Sequence, residues 1–441
     1  MQGTGTALCK DGEVRFSART EWDLEETRLA RALRERRAAG LPVLDLTASN
    51  PTQCGFKYDE AGILAALGDA RAMTYDPDPR GMRRAREAVC RYYAERGATV
   101  APEQIFLTTS TSEAYSWLFR LLCDAGDEVF IAQPSYPLFD FLAQIEDVRL
   151  TAYPLWYDHG WQIDLAGLRE RVTEKTRAIA VVHPNNPTGH WTRERAELEA
   201  LCAERGIALV IDEVFLDYSF AEGDTPLRVR KSEAAQRSFA TGKHPTLTFV
   251  LSGISKIAAL PQMKAAWIAV FGPERELREA LERLEVVADT FLSMNAPAQY
   301  ALESWLRAAG AMQEQIRART LGNLRVLDQV LARYPAVTRL EVEAGWYTVL
   351  RVPAYHPTTP RSGVLGARAL HPTTPESGVL GAPALGRDED LAVRLVEERG
   401  VSVHPGYFFG FSGEGWLVVS LLGPEAEFRT GIEQICAAVG D

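Results

Sequence analysis

Residues 247–256 read LTFVLSGISK: five apolar or β-branched residues, then SGIS, then a lysine. Read as a short buried strand that delivers Lys256 to a turn, this stretch decides the fold, because similar runs recur on both sides of it. IFLTT at 105–109, EVFIAQ at 128–133, AIAVVHP at 178–184, ALVIDEV at 208–214 and AAWIAVF at 265–271 are each short and flanked by stretches of helical character. Strands alternating with helices from about residue 80 to 275 predict βαβ units and a largely parallel α/β sheet buried on both faces.

The 441 residues exceed what one core organises, so a large domain and a smaller one are expected. Apolar residues at 46 % and charged residues at 24 % describe an ordinary globular chain. The net charge of −11 comes without a long basic run, which argues against nucleic acid or anionic lipid as partner. Six cysteines are scattered without CxxC pairs, so neither a disulfide framework nor a zinc site is indicated. No uncharged apolar run reaches the ~18 residues of a membrane span, and the opening MQGTGTALCKDGEVRF lacks a signal-like apolar segment. A cytoplasmic enzyme without a membrane partner is expected.

Residues 22–40 place acids early and bases late with Leu and Ala at helical spacing, predicting a surface helix that stops at Gly40. Helical material over 275–334 leads into a smaller strand-and-helix region that runs to the C-terminus. Within it, HPTTPRSGVLGARAL at 356–370 is followed by HPTTPESGVLGAPAL at 371–385, differing at two positions. So close a duplication reads as a tandem insertion into a surface loop without catalytic role, since repeat architectures need longer units and more copies.

Four local features carry chemistry. Lys256, at a strand end among small residues, can be partly desolvated, which lowers its pKa and frees the amine for Schiff-base chemistry; alone, it equally reads as a solvated surface lysine. Asp212 closes the strand ALVID, where an acid points into the crevice at the carboxyl ends of parallel strands, although acids at strand ends are common. HPNNPTG at 183–189 forms a tight turn presenting the Asn186 amide, with an Asn-Pro bond able to be cis, or it is simply a strand-ending turn. Ser110, Thr111 and Ser112 gather hydroxyls and backbone amides at a helix N-terminus, either a phosphate cradle or a plain N-cap.

Taken in chain order, Asn186, Asp212, Lys256 and Lys264 at this spacing resemble the class I/II aminotransferases of PLP fold type I. The resemblance runs from roughly Leu44 to the C-terminus, omitting the duplicated insert. It implies a large cofactor-binding domain over 71–315, with a mostly parallel sheet in a three-layer α/β/α arrangement. A small α+β domain over 316–441 would carry the insertion 356–385, and residues 1–70 would form an N-terminal arm and part of the small domain. It further implies pyridoxal 5'-phosphate held as a Schiff base on Lys256, Asp212 at the pyridine nitrogen and Asn186 at the phenolic O3′. Tyr136, in QPSYP, would stack on the ring, with Ser110, Thr111 and Ser112 cradling the phosphate; Ser255 and Lys264 join the cofactor-binding positions. Tyr75, in YDPDPRG, resembles the tyrosine offered to the neighbouring subunit's phosphate, which implies a homodimer. The expected partners are an amino donor and a 2-oxo acid acceptor, used in turn.

Three departures bear on the reaction. Lys264 replaces the family's phosphate-binding arginine, keeping charge but losing the bidentate fork. Phe215 replaces the tyrosine that donates to O3′, which predicts a higher Schiff-base pKa than is usual. Val418, in GWLVVSLLGPE, occupies the position of the arginine that grips the substrate α-carboxylate. Either another cation such as Lys57 or Arg351 takes over, or other groups hold the substrate, or the donor lacks that carboxylate. TFLSMNAP at 290–297 holds no arginine for a second carboxylate, which argues against an aspartate-type preference. β-Elimination from a sulfur amino acid and decarboxylation use the same lysine and aspartate, and a PLP-binding protein without turnover is the remaining alternative.

Overall fold

The computed structural model describes residues 14–220, 237–292, 294–353 and 387–440, so the duplicated segment 356–385 lies outside the described residues. After β1 (Leu44–Asp45), the apolar runs become β2 (Ile105–Thr108), β3 (Glu128–Gln133), β6 (Thr176–Val182), β7 (Ala208–Asp212), β8 (Thr248–Gly253) and β9 (Ala266–Phe271). Two strands not anticipated from sequence, β4 (Arg149–Tyr157) and β5 (Trp161–Ile163), join them. Pro154 in RLTAYPLWY disguises β4, which pairs with β3 over Arg149–Pro154 and, beyond the proline, with the short edge strand β5 over Leu155–Tyr157.

The sheet order is β2-β9-β8-β7-β6-β3-β4-β5. From β4 through β3, β6 and β7 to β8 all pairs are parallel, β9 runs against both β8 and β2, and β5 folds back on β4. Successive side chains of these strands point to opposite faces. Ile179, Val181, Leu209, Ile211, Val250 and Trp267 meet the helices Arg83–Ala94 and Ala296–Leu331 on one face. Ala180, Val182, Val210, Phe249, Leu251 and Ile268 meet Thr111–Leu122 and Glu274–Phe291 on the other. Each large aliphatic or aromatic side chain so buried contributes about 1.5–3 kcal/mol, and the double burial creates the three layers.

The 36-residue helix Ala296–Leu331, capped by Asn295 and with Pro297 in its first turn, joins two cores. Its start packs Ala298, Leu302 and Trp305 near the large sheet, while Leu324, Leu327 and Val330 enter a second core. The expected boundary between residues 315 and 316 falls within this helix. Around the second core, β10 (Thr338–Arg339), β11 (Tyr347–Arg351), β13 (His404–Pro405) and β14 (Trp416–Ser420) pair antiparallel in the order β10-β11-β14-β13. The helix Glu425–Gly440 adds Phe428, Ile432 and Ile435 to that core. Between β11 and β13 comes β12 (Val401–Ser402), which pairs in parallel with β1 and ties the early chain to the late one. The helix expected over 22–40 spans Arg28–Ala38, because the Thr27 hydroxyl accepts the Ala30 N–H and sets its start there. All five described cysteines are free.

Candidate active site

Strand register gathers the candidate residues before any side chain is considered. Val182, Asp212 and Leu251 lie in one row across β6, β7 and β8, and Thr108, Ala266 and Gly253 lie in another across β2, β9 and β8. The turn with Asn186, the acid Asp212, the helix starting at Thr111 and the lysine after β8 therefore all emerge at the same carboxyl edge, where open parallel sheets bind ligands.

Lys256 stands in the one-turn helix Ile254–Ile257 directly after β8. Its Nζ lies 5.0 Å from the centre of the Trp346 ring and 5.8 Å from that of Phe215, and these two rings meet edge to face at 5.3 Å. Burial lowers the amine pKa to about 8, and the charge of Asp212 opposes that shift without cancelling it. Asp212, itself buried, accepts the Val214 N–H at 3.1 Å; burial raises its carboxyl to about 6 against the pull of that N–H and of Lys256. At neutral pH the pair is thus predominantly a cation facing an anion in a water-poor place.

Asn186 follows β6 in a turn whose Asn186–Pro187 bond is cis. Its Oδ1 is buried without a hydrogen-bond partner. Asn185 pins the turn from inside, its Nδ2 donating to the Pro134 carbonyl at 3.2 Å and to Thr188 Oγ1 at 2.9 Å. Gly189 closes the turn at φ 68°, where an added Cβ would stand 2.3 Å from the Ala344 carbonyl oxygen. Ser110 serves as N-cap, accepting the Glu113 N–H at 3.1 Å, while Glu113 reaches back to the Thr109 N–H at 2.7 Å. Thr111 and Ser112 occupy the first turn, partly exposed beside N–H groups that a helix does not satisfy itself.

Tyr136 is 38 % exposed, and its hydroxyl is raised by burial and by the charge of Asp212, which puts it within electrostatic reach of the acid. Phe215 is buried and acts as wall rather than donor. Ser255 is partly exposed next to Lys256, and Lys264 is exposed with φ 52°. Tyr75 is 77 % exposed and lines a surface cavity of about 320 Å³ with Met73, Leu107 and Leu292. Val418 is fully buried in β14 opposite Val349 and His404. Of the two substitute cations considered, Lys57 is exposed, and Arg351 stacks 4.2 Å above Trp416 while donating to the Glu414 carbonyl.

Two residues of the site escaped the sequence reading. Trp346 is distant in sequence and carries no motif, although it forms the nearest described ring to the lysine amine. Tyr115 sits one turn into the helix Thr111–Leu122; its hydroxyl is buried without a partner and is pushed up by burial and by Asp212.

The family model described as aminotransferase class I and II matches residues 42–435. The chain belongs to the class I and II aminotransferase family. This membership bears out the resemblance carried by Asn186, Asp212, Lys256 and Lys264. Among family relatives, the glutamate-pyruvate aminotransferase AlaA of Escherichia coli is 26 % identical over 280 residues, covering 63 % of this chain and 66 % of that protein. The alignment thus falls just short of two thirds of that relative's length. The alanine aminotransferase of Mycobacterium tuberculosis is 27 % identical over 299 residues, 66 % of each chain. The S-alkyl-thiohydroximate lyase SUR1 of Arabidopsis thaliana is 28 % identical over 253 residues, 55 % of this chain and 52 % of the other. In fold, the Pyrococcus furiosus alanine aminotransferase superposes with a TM-score of 0.78 at 20 % identity over 97 % of this chain and 100 % of its own. The family's large sheet and smaller C-terminal sheet are the ones described above.

Proposed function

We propose that this chain is a pyridoxal-phosphate-dependent aminotransferase that moves an amino group between an amino compound and a 2-oxo acid, with Lys256 as the residue that captures the cofactor aldehyde. The observation that carries the reading is the Lys256 amine, lowered to about 8 by burial beside the Trp346 and Phe215 rings, with the buried Asp212 opposing that shift. Names of relatives that act on glutamate, pyruvate and alanine support the substrate class.

The residues present fit the cofactor. Buried polar atoms without partners cost about 1–3 kcal/mol each, and Asn186 Oδ1 and the Tyr115 hydroxyl are two such atoms at the carboxyl edge. Pyridoxal phosphate supplies an electron sink for negative charge at the substrate Cα. Asp212 as an anion would favour the protonated form of the ring nitrogen of the bound cofactor. The first turn at Thr111 and Ser112 and the exposed Lys264 offer N–H groups and positive charge to a phosphate. Tyr136 provides a ring face. Lys256, its pKa lowered to about 8, would accept and return a proton at its Nζ as general base and acid.

Val418 leaves no cation at its position, so a substrate carboxylate is held by other groups or the donor lacks one. A β-eliminating lyase is the second reading, supported by the lyase among the relatives. Exposed Tyr75, Met73 and Leu292 around the 320 Å³ cavity support a homodimer whose partner covers them. Among the described residues no helix is long and apolar enough to cross a membrane; we read the enzyme as cytoplasmic, with a large domain over 71–315 and a small one over 316–441.

A panel of amino donors and 2-oxo acids, read by mass spectrometry for the exchanged pair or for released sulfide, separates transfer from elimination. The parent protein gains a visible absorption band with pyridoxal phosphate, and Lys256→Ala gains none. An unchanged spectrum of the parent protein overturns the proposal.

A further inference from the structure

The lysine-bearing turn is short and is braced from outside as well as by its own main chain. The helix Ile254–Ile257 has four residues, and its own main-chain bonds are few: the Ile254 carbonyl accepts the Ala258 N–H at 3.0 Å and the Lys256 carbonyl the Ala259 N–H at 3.1 Å. Three side chains from three separate segments add bonds at the carbonyls of Lys256, Ile257 and Ala259. The Tyr218 hydroxyl, after β7, donates to the Lys256 carbonyl at 2.6 Å; Gln313 Nε2, midway along Ala296–Leu331, donates to the Ile257 carbonyl at 2.8 Å; and the Tyr58 hydroxyl donates to the Ala259 carbonyl at 2.9 Å. The turn they hold is strained, because Ala259 is fully buried at φ 54°, a left-handed conformation that costs a non-glycine residue roughly 1–2 kcal/mol.

The donors are themselves fixed. Gln313 Nε2 also lies 3.3 Å from Asp217 Oδ2, and since both of its partners are acceptors the amide has only one workable orientation. Asp217 is held in turn by Arg96 Nε at 3.0 Å and the Tyr92 hydroxyl at 3.1 Å, with Arg96 and Asp217 forming a buried ion pair. Two residues along the same helix, Gln315 exchanges two hydrogen bonds of 2.9 Å with the backbone of Lys57, setting the register of the segment that carries Tyr58. The long helix therefore governs two of the three clamps.

We infer that Gln313, Tyr58 and Tyr218 are positioning residues for Lys256, holding its turn by the backbone so that the amine stays beside the Trp346 and Phe215 rings. The inference rests on the reading of Lys256 as the catalytic lysine. It couples the amine to the helix that enters the second core, so the small region is connected to the reacting group through main-chain carbonyls rather than through the substrate.

The test compares the full-length parent with Tyr58→Phe, Tyr218→Phe, and the double variant Tyr58→Phe/Gln313→Met. Turnover is measured on the cofactor-loaded protein. On protein freed of cofactor, carbamylation of Lys256 by cyanate is followed against pH by peptide mass spectrometry, with Lys264 as internal reference. The double variant is expected to lose about tenfold in kcat with KM within about twofold, as a slight misplacement of a catalytic group does. Its carbamylation midpoint is expected to rise from about 8 toward the ordinary lysine value, and Gln313→Lys, which keeps a donor, is expected to recover most of the lost kcat. Parent-like kcat and midpoint in the double variant, whatever its melting temperature, overturn the inference. If that variant does not fold, Tyr58→Phe, which removes a single hydroxyl, decides by the same two readings. Lys256→Ala separates the levels: turnover retained there overturns the catalytic reading and the clamp with it, whereas turnover abolished there but unchanged in the clamp variants overturns the clamp alone.

Discussion

Lys256 and Asp212 are each shifted against their own charge, the amine down and the carboxyl up, because burial removes more hydration than their mutual attraction returns. The shift has a measurable sign. The folded amine pKa, about 8, lies below the 10.5 of the unfolded chain. Below 8 both states hold the proton; between 8 and 10.5 the unfolded chain holds more, so stability contributed by this group rises with pH, and above 10.5 the penalty has vanished. Lys256→Met removes the penalty and, measured by urea unfolding without cofactor, is expected to be more stable than the parent at pH 7 by about 1–3 kcal/mol, the difference closing by pH 10.5. A constant difference across that range contradicts the assignment. The residue types at the carboxyl edge were legible in the sequence, since an acid, an amide and a lysine each end a recognisable strand or turn. The Trp346 ring beside the lysine was not: it stands in the bend just before β11 of the other sheet, and nothing in its local sequence marks what it will touch.

At the scale of elements, a turn works only if its backbone can approach its neighbour. Gly189 holds φ 68° against the Ala344 carbonyl oxygen. Gly189→Ala is expected to cost at least about 2 kcal/mol in chemical denaturation and to lower kcat, because the strain is relieved by moving the turn that carries Asn186. Loss of stability with unaltered kcat would show the turn to be scaffold alone. The six apolar runs were legible as strands because burial on both faces demands continuous hydrophobicity. The strand β4 and the edge strand β5 were not, because Pro154 and partly exposed positions break the apolar run of β4 and β5 has only three residues. The start of the helix Arg28–Ala38 was displaced for a similar reason: a single capping hydroxyl on Thr27 outweighed the acids ahead of it.

Across the whole molecule, the buried pair of Arg96 and Asp217 ties the helix before the large sheet to the loop after β7 and, through Gln313, to the long helix. Removing one partner strands the other charge, so Asp217→Ala is expected to destabilise by about 3–5 kcal/mol in urea unfolding. A loss below about 1 kcal/mol would mean that water reaches Arg96. Deleting residues 371–385, one copy of the duplicated stretch, is expected to leave kcat within about twofold in the donor panel, as its reading as a surface insertion requires. A larger drop assigns the insertion a part in the reaction.

The sequence by itself determined the family, the six doubly buried strands of the large sheet, and which side chains end up at their termini, since those follow from local periodicity and from residue types at fixed spacing. Only the tertiary structure decided how far the lysine is desolvated, what clamps its turn, and that Val418 is sealed within β14 while Arg351 is stacked on Trp416. Desolvation and hydrogen bonding depend on which distant segments arrive beside a group, and that is set by the packing of two cores around one shared helix.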